Sequence, residues 1–333
     1  MTVSERLEKY KTEVLNLRAF PSEDWVLDLF RFQAENNPLY HQYINLVGVD
    51  YKEIKSVNSI PFLPIELFKG HEIKTGQWEE ELYFSSSGTG SSGFSKHALY
   101  SGEFYKTHSQ NCFEHFYGPL KDYCVLGLLP SYLERKGSSL VYMCEHFIEQ
   151  SESEYSGFYL DKTDKLKSVL DVLSEKREKV LLIGVSFALW DFSESYTADF
   201  EDIVFMETGG MKGRRREIPR EELHNIIAGA FNLPSVHSEY GMTELFSQAY
   251  SKGQGLFDLP ATMKFLLRDI TDPFSSAKEG KTGGLNIIDL ANFSTISFIE
   301  TGDLAQETKG AYKILGRLEN AMVRGCNLMY AEV

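Results

Sequence analysis

No framework of cysteines runs through this chain. Its four cysteines, Cys112, Cys124, Cys144 and Cys326, lack disulfide-type spacing. A small scaffold stapled by bridges is thereby excluded, and free thiols fit a reducing, cytoplasmic setting. Basic residues are also scarce: 34 Lys and Arg stand against 48 Asp and Glu, a formal net charge of −14. That balance excludes a general nucleic-acid binder, which needs a basic face, and disfavours adhesion to an anionic membrane. Long apolar runs are missing too. No stretch approaches the roughly 20 residues of a membrane helix, so an integral membrane protein is not expected. Residues 1–17 are charged and helix-like rather than an apolar leader. What remains is 333 residues, 42% apolar and 25% charged, enough for one large α/β domain or two ordinary ones with a sizeable core.

From residue 80 onward, apolar runs of strand length alternate with helix-length stretches. Strands are predicted at residues 82–84, 124–129, 180–185, 203–206 and 235–237, and helices at 103–116, 138–148, 164–173 and 220–228. Runs that are apolar throughout imply strands buried on both faces, hence a parallel-rich α/β sheet. Before it, about 75 residues read as helical, with Ser22 capping a helix and Asn36-Asn37-Pro38 breaking it. After Gly255 the pattern changes to short alternating strands at 263–268, 284–289, 295–299 and 311–315, a β-rich or partly closed barrel subdomain. The expected organisation is a helical segment (1–80) packed on an α/β core (81–255), then a β-rich subdomain ending in a cysteine-bearing segment (256–333).

The densest local signal is residues 85–96, Ser-Ser-Ser-Gly-Thr-Gly-Ser-Ser-Gly-Phe-Ser-Lys. Ser86, Ser87, Gly88, Thr89 and Gly90 combine small donors with backbone that can approach closely, the makings of an anion cradle. Gly88-x-Gly90-x-x-Gly93 formally matches a dinucleotide fingerprint. Yet no helix opens at once, and no acidic residue ends a second strand about 20 positions on. No Gly-Lys-Ser/Thr follows, so a Walker loop fails. Ser186, in Gly184-Val-Ser-Phe-Ala188, resembles a hydrolase elbow with its last glycine changed, with Asp202 and His237 as downstream partners. Cys112-x-x-His115 and Cys144-x-His146 have ligand-like spacing, but nothing in the sequence brings the pairs together.

A second cluster is sharper. In Tyr240-Gly241-Met-Thr243-Glu244 an aromatic, a hydroxyl and a carboxylate fall within five positions. The set suits a base, a phosphate and an oxygen-seeking cation. Asp303, in Glu300-Thr-Gly-Asp303, offers a carboxylate on a turn for the two hydroxyls of a ribose, and Arg317 after Gly316 offers a guanidinium.

These residues resemble the adenylate-forming superfamily of acyl-CoA synthetases, carrier-protein adenylation domains and luciferases. The resemblance covers most of the chain after residue 80. It implies that family's α/β N-terminal domain, with ATP and Mg2+ as cofactors. The loop 85–96 would hold phosphates, Tyr240 to Glu244 adenine and Mg2+, Asp303 the ribose, and Arg317 would open the hinge. Gly209 and Gly210, in Glu207-Thr-Gly-Gly210, resemble the turn that flanks the adenine. Within the superfamily, Pro130 to Arg135, Glu207 to Gly213 and Arg324-Gly-Cys326 are similar to the acyl-protein synthetase of the bacterial luciferase fatty-acid reductase complex. That likeness implies a fatty acid adenylated with Thr243 and Glu244 as catalytic residues, captured as a thioester on Cys326, and passed to a reductase or carrier protein. Three departures stand out. The loop reads Gly88-Thr-Gly where the superfamily has Gly-Thr-Thr-Gly, Lys96 lies late, and Asn320 stands at the hinge aspartate. The superfamily's mobile C-terminal domain is expected to be missing, its lysine replaced by Arg214, Arg215 or Arg216, supplied in trans, or dispensable. The competing expectations are a ligase passing acyl groups to CoA or a carrier, and a non-catalytic nucleotide-binding subunit.

Overall fold

The structure, a computed structural model, describes residues 1–86, 93–130, 137–159, 162–200, 203–211 and 213–317. Thr2 and Glu5 form a capping box on α1 (Val3–Asn16). Ser22 caps α2 (Glu23–Asn36). Asn37 caps α3 (Pro38–Leu46), whose proline sits where a helix needs no donor. Gln33 of α2 is fully buried. Its amide donates to the carbonyls of Asn292 and Phe293 at 3.1 Å, and its oxygen accepts the Ser297 N–H at 3.0 Å.

The chain continues through β1 (Leu63–Pro64) into a hairpin, β2 (Leu82–Ser85) and β3 (Lys96–Leu99). Then come α4 (Gly102–Tyr117), β4 (Cys124–Leu128), α5 (Ser139–Gln150) and β5 (Gly157–Phe158). They are followed by α6 (Thr163–Lys176), β6 (Val180–Val185), α7 (Ser186–Ser195) and β7 (Ile203–Thr208). Next are α8 (Arg220–Phe231), β8 (His237–Tyr240) and β9 (Ala249–Ser251). One six-stranded sheet has the order β5-β4-β6-β7-β8-β9, parallel except for the last pair. Every residue of β4 and β6 is buried, as continuous apolar runs between helices require.

The second sheet takes β10 (Leu256–Phe257), β11 (Met263–Arg268), β12 (Gly283–Asp289), β13 (Phe298–Thr308) and β14 (Ala311–Arg317). Its order is β10-β14-β13-β12-β11, antiparallel, with β1 joining β13 in parallel. The α/β core and the later β-rich sheet are as expected. Three local expectations need correction. The strand expected at 295–299 begins at Phe298 and runs 11 residues, because Thr295 is held in a turn by its N–H bond to the Asn292 carbonyl. Asp303 therefore sits inside a long strand, beside a register shift at Leu304 and Ala305, and not on a turn. The strand expected at 235–237 runs instead from His237 to Tyr240. Helix α7 was hidden because its first half, Ser186 to Trp190, is buried without a polar face, and exposed residues begin only at Asp191. Among the described residues, no helix is long and apolar enough to cross a membrane.

Candidate active site

The site lies where β7 and β8 end beside β13 and the hairpin. β7 closes on Glu207 and Thr208, and Gly209 follows with φ +70°, a left-handed turn that glycine adopts without strain. Glu207 and Ser238 are paired across β7 and β8. Glu207 accepts the Ser186 hydroxyl at 2.6 Å and lies 3.5 Å from Arg220 Nε and 3.8 Å from His224 Nε2. Burial pushes its carboxyl up, but His224 and Arg220 outweigh that and hold it below the usual range.

Glu239, also buried, has no such cation. The Thr208 hydroxyl donates to its Oε2, and burial, with Glu207 adding to it, pushes its carboxyl up to about 7. Its other oxygen lies so close to Gly241 that a Cβ there would collide with it. Glycine at 241 is needed for this close approach, not for an unusual φ.

Tyr240 brings the distant pieces together. Its hydroxyl donates to Asp303 Oδ2 at 2.7 Å, across 63 positions of sequence. Its ring packs edge-on against Phe257 and Phe265. Asp303 keeps 15% side-chain exposure, and Arg317 Nε stands 4.0 Å from its Oδ1, with the guanidinium 76% exposed. Burial raises the Asp303 carboxyl against the opposing pull of Tyr240 and the arginines 317, 220 and 268. The structure thus joins a buried aromatic ring, a largely buried carboxylate and an open guanidinium through successive contacts.

Glu244 follows in the next turn. It is 7% exposed, and burial pushes its carboxyl up despite the Ser95 hydroxyl and the more distant charges of Arg317 and Lys69. Among the described residues it has no ion-pair partner. A buried carboxylate without a counter-ion, facing a hydroxyl, has the donor chemistry for a magnesium ion. The backbone around it is clamped: Asn292 Nδ2 donates to the Glu244 carbonyl at 2.8 Å, and Asp289 accepts the N–H groups of Phe246 and Ser247 at 2.8 and 2.9 Å. Thr243 is half-buried, its carbonyl 2.9 Å from His97 Nδ1.

The base of the loop is closed by Ser86 and Ser95. Ser86 N–H donates to the Ser95 carbonyl at 3.1 Å, and Ser95 N–H donates to the Ser86 hydroxyl at 3.0 Å. Ser95 is the residue that faces Glu244, so the loop base and the carboxylate share an edge. Lys96 is exposed and pairs with Ser85 at the start of β3. Gly210 is half-buried beyond the turn at Gly209. Ser87, Gly88, Thr89, Gly90 and Cys326 lie outside the described residues, as do Arg135, Asp202, Lys212, Asn320 and Arg324.

Two rival chemistries fall away. Ser186 opens α7 with its hydroxyl on a carboxylate, and His237 Nδ1 meets the Tyr117 hydroxyl at 3.0 Å, so no serine–histidine pair forms. His146 bonds Gln110 at 2.9 Å, and no group of three His, Cys, Asp or Glu among the described residues could hold a metal ion. Arg215 pairs with Asp191 and Glu194, Arg216 with Glu222, and Arg214 lies over the Phe187 ring. Glu239, Arg220, His224 and His97 escaped sequence reasoning. The one available signal was a Glu at the end of each of two adjacent strands.

No protein-family model matches the chain, and no curated protein does. Solved structures do. A 2-hydroxyisobutyryl-CoA ligase, in an open conformation with 2-HIB-AMP and CoA, aligns over 89% of this chain and 74% of its own at 11% identity, TM-score 0.61. ATP-bound MatB from Rhodopseudomonas palustris aligns over 71% of this chain and 47% of its own, at 16% identity and TM-score 0.52. The long-chain-fatty-acid-CoA ligase FadD1 from Archaeoglobus fulgidus aligns over 72% and 52%, at 15% identity and TM-score 0.51. The chain spans about half the length of MatB and FadD1. At these identities the likeness is one of fold. The α/β architecture is the fold shared with these ligases.

Proposed function

We propose that this chain activates a carboxylic acid with ATP, forming an acyl-adenylate and releasing pyrophosphate. The observation that carries the reading is the alignment of Tyr240, Asp303 and Arg317 beside an unpaired, buried Glu244 at the base of the serine-glycine loop. The Tyr240 ring would cover the adenine, Asp303 would accept the ribose hydroxyls, and Arg317 would face ribose or phosphate. A carboxylate oxygen of the acid attacks the α-phosphorus, and the bond to the pyrophosphate oxygen breaks as the new P–O bond forms. Loop N–H groups, Thr89 and Thr243 are the donors assigned to the charge that develops. Glu244 would hold Mg2+, which supplies charge neutralisation on the phosphates when bound.

In the finer reading the acid is fatty, and the acyl group passes from AMP to the Cys326 thiolate, with AMP as leaving group, and then to a reductase or carrier protein. The resemblance around Arg324-Gly-Cys326 supports it, and so does the long-chain-fatty-acid-CoA ligase among the structural neighbours. The second reading delivers the acyl group to CoA, favoured by a neighbour solved with both an acyl-AMP and CoA. Intact-mass spectrometry after incubation with ATP and mixed fatty acids separates them. The finer reading expects an acyl adduct that disappears in Cys326→Ser. An adduct retained in that variant, or no protein adduct but free acyl-CoA once CoA is added, moves the acceptor away from Cys326.

A further inference from the structure

The hairpin β2–β3 carries the loop at 85–96, yet it joins neither six-stranded sheet. Main-chain pairing with those sheets therefore does not fix where the loop sits relative to Thr243 and Glu244. Side chains cross the gap instead: Ser95 faces Glu244, Phe84 packs edge-on against Phe246, and His97 bonds the turn's backbone. His97, on the return strand β3, is fully buried. Its Nδ1 lies 2.9 Å from the Thr243 carbonyl, and its Nε2 lies 2.8 Å from the Thr295 hydroxyl. A carbonyl can only accept, so Nδ1 carries the proton and Nε2 accepts from Thr295. The ring stacks on Phe246 with centroids 4.1 Å apart and planes at 7°, and Phe68 closes its other side edge-on at 5.2 Å.

We infer that His97 is a positioning residue of the adenylation site, a strut that helps set the spacing between the loop base at Ser86 and Ser95 and the turn bearing Thr243 and Glu244. Its one donor and one acceptor are both engaged, so it has no proton to exchange with substrate. Burial holds the imidazole down to about 3, so the strut keeps the same neutral form across the working range. The inference rests on the adenylation reading, because spacing matters only if loop and turn grip one ligand. Small displacements of that kind are costly to catalysis.

The test compares His97→Phe and His97→Asn with the wild type in acid-dependent exchange of pyrophosphate into ATP. Phenylalanine keeps the ring volume and the Phe246 stack but leaves the Thr243 carbonyl unpaired. Asparagine loses the stack but places an amide N–H near the position of Nδ1. The expected result for His97→Phe is about a tenfold fall in kcat and about a tenfold rise in half-saturating Mg·ATP, with KM for the acid within about twofold. His97→Asn should recover most of that loss. Packing alone predicts the opposite order, and thermal melts read that order independently. Activity that follows melting temperature, or a His97→Phe enzyme matching the wild type, overturns the inference. If the wild type shows no exchange, the adenylation reading fails first. Equilibrium binding of Mg·ATP in the order wild type, Asn, Phe would then support the strut, and equal affinities or no binding would overturn it.

Discussion

Glu239→Gln offers a sharp physical test of the strand ends that build the site. The carboxyl is buried, with burial raising it from the ordinary 4.5 to about 7. In the unfolded chain it ionises near 4.5, so between about 4.5 and 7 the folded protein binds more protons than the unfolded one. Stability from this group is full below about 4.5 and is lost as pH rises through about 7. The gap from 4.5 to about 7, at about 1.4 kcal/mol per pH unit, is on the order of 3 kcal/mol. Other titrating groups around it do not cancel the effect. Burial pushes Tyr105, Tyr250 and Cys144 up, away from this window, and Glu207 lies below its usual range. Glutamine keeps an oxygen for the Thr208 hydroxyl and carries no charge. Urea unfolding at pH 5 and pH 8 should show the variant gaining about 2 to 3 kcal/mol on the wild type over that interval. A pH dependence identical in the two proteins would refute the assignment of a neutral buried carboxyl.

Gly241→Ala should destabilise by about 1 to 3 kcal/mol, because its Cβ meets the Glu239 carboxylate. The penalty should shrink in a Glu239→Ala background, and denaturation of the double mutant reads this directly. Tyr240→Phe removes one donor from Asp303. A stability loss of about 1 kcal/mol and a severalfold rise in KM for ATP are expected, from urea unfolding and exchange kinetics. Asp289→Asn turns an amide donor toward the Phe246 and Ser247 N–H groups that the carboxylate accepts. Loss of about 3 kcal/mol is expected by chemical denaturation.

The alternation of apolar runs made the parallel core legible, because β4 and β6 are buried on both faces and need no polar side. Residue chemistry together with the superfamily resemblance assigned Tyr240 and Asp303 to one site, and the 2.7 Å bond between them joins strands 63 positions apart. Other features were not legible, for physical reasons. Glu239 looks like any carboxylate in an alternating strand until its partner strands bury it. His97 has no motif, and its role comes from a ring reaching 146 positions along the chain to the Thr243 carbonyl. Helix α7 opens with a buried apolar run, and its exposed side is limited to Asp191, Glu194 and Ser195 near its end. Asp303 was read as part of a turn because Gly302 precedes it, whereas strand pairing with β14 keeps that backbone extended. Lys96 was singled out as late in its motif, and the structure places it exposed on β3 beside the buried His97.

Tyr240, Glu244, Asp303 and Arg317 are proposed to form an acid-activating ATP site. Exchange of labelled pyrophosphate into ATP, measured with a panel of carboxylic acids, tests it most directly. Acid-dependent exchange in the wild type and about a hundredfold loss in Glu244→Gln at an unchanged melting profile are expected. No exchange with any acid, or exchange that survives Glu244→Gln undiminished, would contradict it.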